Sequence, residues 1–545
     1  MKIALAQLNY HVGNFEQNTS KIIRSIERAK NDQVDLIVFA ELSICGYPPR
    51  DFLEFNDFIR LCNEAVESIA QHCIGIAAIV GSPATNPQVE GKDLFNAAWF
   101  LSSGKVNAIR NKTLLPTYDV FDEYRYFEPN RSFDIITCVG KKIALTICED
   151  LWNINHNPLY ITTPMDELIK HRPDVIINIA ASPFSHTQLA SRTQVLRNNA
   201  EKYKLPLLYV NHVGAQTELI FDGGSLAMNA QGEITKQLKS FEEDYAVVTL
   251  EEINAAKGTQ TTVPQKMEQL EHALVLGIRD YFKKLGFTKA ILGLSGGIDS
   301  ALVVYLAARA LGEENVKAVL MPSQFSSDHS ISDSLELCKN LGVSHEIIPI
   351  ERAFNTFREL LQPAFGNLPF DLTEENMQAR CRGLILMGLS NKFGYILLNT
   401  SNKSEMAVGY GTLYGDMCGG LSVIGDLYKT EIFELCRYIN RDKEIIPENI
   451  ITKPPSAELR PNQKDSDSLP DYEQLDPILF EYIEKRKSPG EIIRMGYDEA
   501  IVKRILRLVN MNEYKRHQTP PILRMSPKAF GMGRRMPIVA KYLTD

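Results

Sequence analysis

The sequence predicts an α/β protein made of two successive units, the second a doubly wound parallel sheet. Short, nearly continuous apolar runs recur at 34–40, 74–80, 97–101, 143–147, 175–179 and 207–210, the pattern of strands covered on both faces. Segments with helical spacing of apolar residues separate several of these runs, so helices layer the sheets. From residue 289 onward strands and helices alternate, as in an open sheet with crossover helices.

Each element has its own signal. Residues 2–8 read as a first strand; Gln7 and Asn9 break the apolar run and no small-residue cleavage site follows, so it is not read as a signal peptide. Residues 14–30 read as a helix with Ile22, Ile23, Ile26 and Ala29 on one face. A strand at 245–250 closes a first domain, 1–250. The polar stretch 251–264, with Gly258 and Pro264, reads as a linker to a second domain, 265–545. That domain opens with a helix over about 265–285. A strand at 289–294, a Gly-rich turn and a helix at 300–311, ended by Gly312, come next. Strands at 316–320, 346–350 and 395–399 alternate with helices at 332–341 and 373–393. Residues 453–472, rich in Pro, Ser and Asp, read as a long loop before a helical tail.

Composition narrows the function. The 545 residues are 44% hydrophobic and 23% charged, enough apolar material for sizeable cores. Lys+Arg 59 against Asp+Glu 67 leaves a net charge of -8, which argues against a nucleic-acid or membrane-surface role. No run of apolar residues is long enough to predict a spanning helix. The nine cysteines form no C-x-x-C pair, which suits a reducing, cytoplasmic setting without structural zinc.

Three segments of the first domain place a reactive side chain at or just beyond the end of an expected strand. They are F-A-E-L-S-I-C-G-Y-P-P-R-D with Glu41, R-N-K-T-L-L-P-T-Y-D-V-F-D-E-Y-R-Y-F-E-P with Lys112, and A-L-T-I-C-E-D-L-W with Cys148. A free thiol is only about 3% thiolate at neutral pH, so attack on an amide needs a base, which Glu41 supplies. The attacked carbonyl oxygen gains negative charge, which the Lys112 ammonium stabilises with a backbone N–H. Leaving ammonia needs a proton, and Glu41 returns the one it took. Taken singly, a Cys at a strand end is core filler and a Glu or Lys there is a solvated surface residue.

The three segments, with N-I-A-A-S-P-F around Ser182, V-N-H-V-G-A-Q from Val210 and F-D-G-G-S from Phe221, resemble the nitrilase superfamily of amide hydrolases over about residues 1–250. The resemblance implies an αββα sandwich in which Glu41 is general base, Lys112 supports the tetrahedral intermediate and Cys148 is the nucleophile. It also implies glutamine contacts at Tyr118 and Ser182. Many members carry Lys or Arg six positions after the equivalent of Ser182; here Gln188 stands there, able to hydrogen-bond a carboxylate without a charge-assisted bond.

The second motif is L-S-G-G-I-D-S between a strand and a helix. Gly296 and Gly297 let the backbone turn tightly beside a pyrophosphate, and the helix N-terminus beyond offers free N–H groups. Ser295 and Ser300 add hydroxyls. Asp299, unexpected at an anion site, makes sense holding Mg2+ against phosphates. No Lys follows the glycines, so this is not a Walker A loop. It resembles the pyrophosphate loop of ATP pyrophosphatases, which implies ATP contacts along Gly293, Leu294, Ser295, Gly296, Gly297, Ile298, Asp299 and Ser300.

E-E-N-M-Q-A-R-C-R-G, L-N-T-S-N-K-S-E-M-A-V-G-Y-G-T-L-Y-G-D-M-C-G-G and Y-K-R-H-Q-T-P-P extend the likeness. With the first domain they resemble the glutamine-dependent NAD+ synthetase family across essentially the whole chain. That resemblance implies amidation of deamido-NAD+ with ATP and glutamine, and a second, Rossmann-like domain. It places Thr400 and Lys429 at ATP, Asn376, Arg380, Glu405 and Lys515 at deamido-NAD+, and Mg2+ on Asp299 and Glu405. A homodimer or larger assembly, small-molecule substrates and no nucleic-acid or membrane partner are implied as well. S-G-G-x-D-S loops also occur in enzymes similar to GMP and asparagine synthetases, so another adenylated acceptor stays an alternative at this point.

Overall fold

The computed structural model describes residues 1–154, 158–256, 258, 264–461, 463–467 and 469–543. The chain divides into two units, Met1–Pro264 and Gln265–Asp545.

The first unit holds two six-stranded sheets. One runs in the order Asp244–Thr249, Lys2–Gln7, Leu36–Val38, Ala77–Thr85, Leu94–Ser102, Lys105–Asn111; the other runs Ile234–Gln237, Leu226–Met228, Leu207–Asn211, Val175–Ala180, Lys141–Ile147, Ile136–Cys138. The side-chain period of two sorts each strand between two cores. Ile3, Leu5, Leu36 and Val38 join Ile143, Leu145, Ile177 and Leu208 between the sheets. Ala4, Ala6, Ile37 and Phe39 point outward, onto Ile22 and Ile26 of helix Phe15–Asn31 and Val66 and Ile69 of helix Asn56–Gln71. The second sheet carries helix Gln188–Tyr203, whose Val195, Leu196 and Ala200 belong to the core it helps to build. The arrangement is an αββα sandwich of the nitrilase kind.

Differences from the sequence reading have local causes. The 34–40 run yields a strand only at Leu36–Val38, because the chain then turns through Glu41 into Leu42 with φ 44°. The polar stretch after 250 is not wholly linker: Leu250–Ala255 is a helix, capped reciprocally by Thr249 Oγ1 and Glu252, with Leu250 and Ile253 buried. The capping signature T-L-E-E was present in the sequence. Edge strand Lys105–Asn111 and hairpin Val213–Gln216/Leu219–Asp222 went unread because their apolar content is low or irregular.

The second unit has five parallel strands in the order Ser344–Ile347, Val316–Leu320, Ala290–Gly293, Ile396–Asn399, Leu421–Ser422. Numbered within the sheet this is 3-2-1-4-5, so the strand order reverses between Ala290–Gly293 and Ile396–Asn399, where open α/β sheets place their ligands. Helix Ile298–Leu311 starts two residues earlier than the sequence suggested, and Asp328–Leu341 starts four earlier, capped by Ser327. Helices Lys403–Val408 and Lys429–Ile439 follow the last two strands, and Tyr472–Ile483 and Glu499–Met511 build the tail. All nine cysteines are free; eight are buried and Cys418 is half-buried. Among the described residues no helix is long and apolar enough to cross a membrane.

Candidate active sites

Glu41, Lys112 and Cys148 each lie just past the end of a strand, after Leu36–Val38, Lys105–Asn111 and Lys141–Ile147 respectively. The first two meet: Lys112 Nζ stands 2.7 Å from Glu41 Oε1, with both side chains fully buried. The other Glu41 oxygen accepts the Ala181 N–H at 2.8 Å, and Asn96 Nδ2 donates to Oε1 at 2.7 Å, so the carboxylate is held from three directions. His212 Nε2 contacts the Glu41 carbonyl. Cys148 adopts φ 41°, a left-handed conformation that non-glycine residues rarely take and that concentrates at active sites.

The sequence reading missed a fourth member. Glu123 is buried and receives Lys112 Nζ at 2.9 and 2.8 Å on its two oxygens, with Tyr47 OH at 2.9 Å. It sits in the D-E-Y of the quoted Lys112 segment, where nothing separated it from the other acidic residues nearby. The electrostatics follow from this grouping. Burial lowers the Lys112 ammonium's pKa, but the Glu123 and Glu41 carboxylates outweigh it and hold the pKa well above its usual value. Burial also pushes the Cys148 thiol well up; Glu41 adds to the rise and Lys112 pulls against it.

Next to Cys148, Glu149 is buried and accepts the hydroxyls of Tyr118, at 3.0 Å on both oxygens, and Tyr160, at 3.1 Å. Desolvation raises it to about 7. Ser182 is buried and its N–H donates to Asn211 Oδ1 at 2.9 Å. Gln188, half-buried, opens helix Gln188–Tyr203. The D-G-G-S turn serves packing: Arg192 grips Asp222 at 3.0 and 2.7 Å, and Gly223 lies where a Cβ would meet Gln7 at 2.3 Å.

In the second unit a cavity of about 300 Å³ opens at the switch point. All of the 293–300 loop except Gly296 lines it, with Thr400, Glu405 and Lys429. Gly296 takes φ 81° and lies where a Cβ would meet the Ser330 carbonyl at 2.4 Å, which explains the glycine without a ligand contact. Ser295 and Ser300 close the loop on itself, hydroxyl to hydroxyl at 3.1 Å, and Gly297 N donates to Ser295 Oγ at 3.2 Å. The Lys429 ammonium bonds Asp299 and lies 3.6 Å from Glu405; Asn402 Nδ2 donates to Asp299 at 3.1 Å. Burial and the nearby Asp299 raise Glu405 to about 8, with Lys429 opposing.

Asn376, Arg380 and Lys515 gather elsewhere, around one loop beside the cavity. Asn376 accepts from Thr412 Oγ1 at 2.7 Å, Arg380 donates to the Leu413 carbonyl at 3.2 Å, and Lys515 donates to the Gly409 and Gly411 carbonyls at 2.7 and 2.9 Å. Arg380 is exposed and outside the cavity lining; Arg382, two residues on, is in it. Residues two apart on a helix cannot share a face, so only one of these arginines could point inward. The 453–472 loop also reaches the cavity, through Lys453, Ser456 and Asp465. Its polar composition gave no sign of this.

Among the described residues no cluster of three or more His, Cys, Asp or Glu is placed to hold a metal. Asp299 and Glu405 nevertheless offer hard oxygen ligands, and one lysine leaves the pair and Asp465 net negative. Mg2+ takes one or two carboxylates with substrate phosphates, so this donor set fits it.

The fold and the two sites define a nitrilase-like unit and a nucleotide-binding synthetase unit in one chain. Residues 2–257 match the carbon-nitrogen hydrolase family and residues 270–519 the NAD synthase family. The chain is 46% identical to the glutamine-dependent NAD(+) synthetase of Synechocystis sp., over 99% of each chain. It is 42% identical to that of Acinetobacter baylyi, over 100% of this chain and 99% of the relative. The solved glutamine-dependent NAD+ synthetase of Acinetobacter baumannii, in complex with adenosine diphosphate, superposes with a TM-score of 0.78 at 39% identity, covering 99% and 98% of the two chains. That from Cytophaga hutchinsonii shares the fold, with a TM-score of 0.85 at 21% identity over 99% and 98%. The chain belongs to the glutamine-dependent NAD+ synthetase family.

Proposed function

We propose that the two sites divide one reaction: the first frees ammonia from glutamine, and the second places it on an adenylated carboxylate. Membership of the family gives the whole, the ATP-dependent amidation of deamido-NAD+ to NAD+ with nitrogen from glutamine.

In the first site, Glu41 takes the Cys148 proton as sulfur attacks the side-chain amide. Lys112 stabilises the oxyanion, and Glu41 returns the proton to departing ammonia. Water activated by Glu41 then releases glutamate from the thioester. Glu149, held by two tyrosine hydroxyls beside the nucleophile, accepts the α-ammonium of glutamine. Ser182 and Gln188 face the α-carboxylate. The observation that carries this reading is the buried Lys112–Glu41 contact at 2.7 Å beside a left-handed Cys148.

In the second site, the loop N–H groups and the start of helix Ile298–Leu311 hold ATP phosphates, with Lys429 and Thr400. The nicotinate carboxylate attacks the α-phosphate and pyrophosphate leaves; ammonia attacks the acyl adenylate and AMP leaves. Asn376, Arg380 and Lys515 receive deamido-NAD+ through the loop they hold. Asp299 and Glu405 would hold Mg2+, which when bound neutralises phosphate charge.

The test is a pair of variants. Cys148→Ala abolishes NAD+ formation from glutamine and leaves formation from added ammonia; Asp299→Ala impairs both. Loss of the ammonia-driven reaction in folded Cys148→Ala contradicts the division.

A further inference from the structure

Asp150 is buried among backbone donors from two different catalytic segments. Its Oδ1 accepts the N–H groups of Thr113 and Leu114, both at 2.9 Å, directly after Lys112. Its Oδ2 accepts the N–H of Ile147 at 3.0 Å, directly before Cys148. One carboxylate thus ties the exit of strand Lys105–Asn111 to the exit of strand Lys141–Ile147. It also braces the turn in which Cys148 is held at φ 41°, a conformation that persists only where its surroundings hold it. Nothing in the chemistry of amide attack requires Asp150 to touch substrate, yet three charge-assisted bonds converge on it.

We propose that Asp150 is a positioning residue that sets where the Lys112 ammonium stands relative to the Cys148 sulfur. The proposal rests on the reading of Cys148 as nucleophile and Lys112 as oxyanion partner. Asparagine has the same shape but only one acceptor oxygen. In Asp150→Asn that oxygen can keep Thr113 and Leu114, and the amide N–H2 then faces the Ile147 N–H, donor against donor. The alternative flip loses the Lys112 side instead. Either way the clasp between the two segments opens.

Two reactions of the same sulfur separate positioning of Lys112 from general loosening. Glutamine hydrolysis builds an oxyanion and needs Lys112 in register. Alkylation by iodoacetamide forms an S–C bond as iodide leaves, passes the thiol proton to Glu41, and builds no oxyanion.

Glutaminase kcat, and the rate of Cys148 alkylation followed by mass spectrometry, are measured for the full-length wild type and Asp150→Asn. The expected result is a fall of about 100-fold in kcat, the effect of an ångström-scale misplacement, with alkylation within about threefold of wild type. Alkylation changing in parallel with kcat, or unaltered kcat, overturns the proposal. Should Asp150→Asn not fold, an amide-to-ester replacement at Leu114 removes one donor, leaves the carboxylate, and is held to the same split. Cys148→Ala in the same glutaminase assay distinguishes the underlying reading: if it still hydrolyses glutamine, the assignment of the nucleophile fails whatever Asp150 does.

Discussion

Lys112 holds Glu123 as closely as it holds Glu41, 2.8 Å against 2.7 Å, with all three side chains buried. An ammonium shared between two carboxylates pairs fully with neither. Glu123 thus fixes the ammonium from the side opposite Glu41.

Glu123→Gln follows from that sharing. With one carboxylate neutralised, Lys112 pairs wholly with Glu41 and turns away from the oxyanion. Glutaminase kcat should fall by about two orders of magnitude, the scale of losing one positioned electrostatic partner. Formation of NAD+ from ammonia should be unchanged. Comparing the two rates in one preparation checks this.

Much of this was legible in the sequence, and the reasons differ by residue. Glu41 and Cys148 could be singled out because each follows an apolar strand run, whereas Lys112 follows a polar edge strand and was marked by its segment's resemblance. The 293–300 loop was legible because two glycines and two serines at fixed spacing have one economical geometry. Glu123 was not, since a 3-10 turn within an acidic segment gives no periodicity to mark which carboxylate turns inward. Arg382 was hidden behind Arg380 for a similar reason: the sequence offers both, and only the helix phase chooses. Edge strand Lys105–Asn111 escaped because it is half-exposed and lacks a continuous apolar run, and the buried hairpin because each of its strands is only four residues long.

Glu149 predicts a pH dependence. Desolvation raises its carboxyl from 4.5 to about 7, while the Lys112 charge and the Tyr118 and Tyr160 hydroxyls pull it down. Above that value it is an anion able to receive an ammonium; below it protonates and the attraction is lost. For glutamine, kcat/KM should fall as pH drops through about 7, approaching tenfold per unit. The same limb should vanish in Glu149→Gln and be absent when ammonia is the donor. A pH series of glutamine kcat/KM for both proteins decides it.

Gln188→Arg tests the neutral residue that the sequence puts near the α-carboxylate. A charge-assisted bond is worth roughly 1 kcal/mol more than a neutral one, so KM for glutamine should fall about fivefold with kcat little changed. Because position 188 opens helix Gln188–Tyr203, the added cation meets the positive end of the helix dipole. The variant should therefore melt slightly earlier while binding substrate better. Opposite movement of KM and melting temperature is the signature to look for.

The last prediction concerns how the second site is held. Lys403 is wholly buried and its ammonium reaches Asp426 at 2.9 Å, Glu484 at 2.8 Å, Ser526 Oγ at 2.8 Å and the Lys528 carbonyl at 3.0 Å. Asp426 in turn accepts the N–H groups of Met525 and Ser526 at 2.7 and 2.6 Å. The C-terminal tail is thereby clipped to the turn that delivers Lys429, and to the helix on which Glu405 stands two residues after Lys403. In Lys403→Met two carboxylates lose their cation in a dry interior, a change that typically costs about 3–5 kcal/mol. For a unit of this size that corresponds to a drop of roughly 10 °C in melting temperature. The loss should fall on ammonia-driven NAD+ formation, through slackened placement of Lys429 and Glu405, while glutaminase kcat at low temperature stays near wild type. Heat inactivation followed separately for glutamine hydrolysis and for ammonia-driven synthesis measures both, and equal sensitivity of the two activities would contradict a role confined to the second unit.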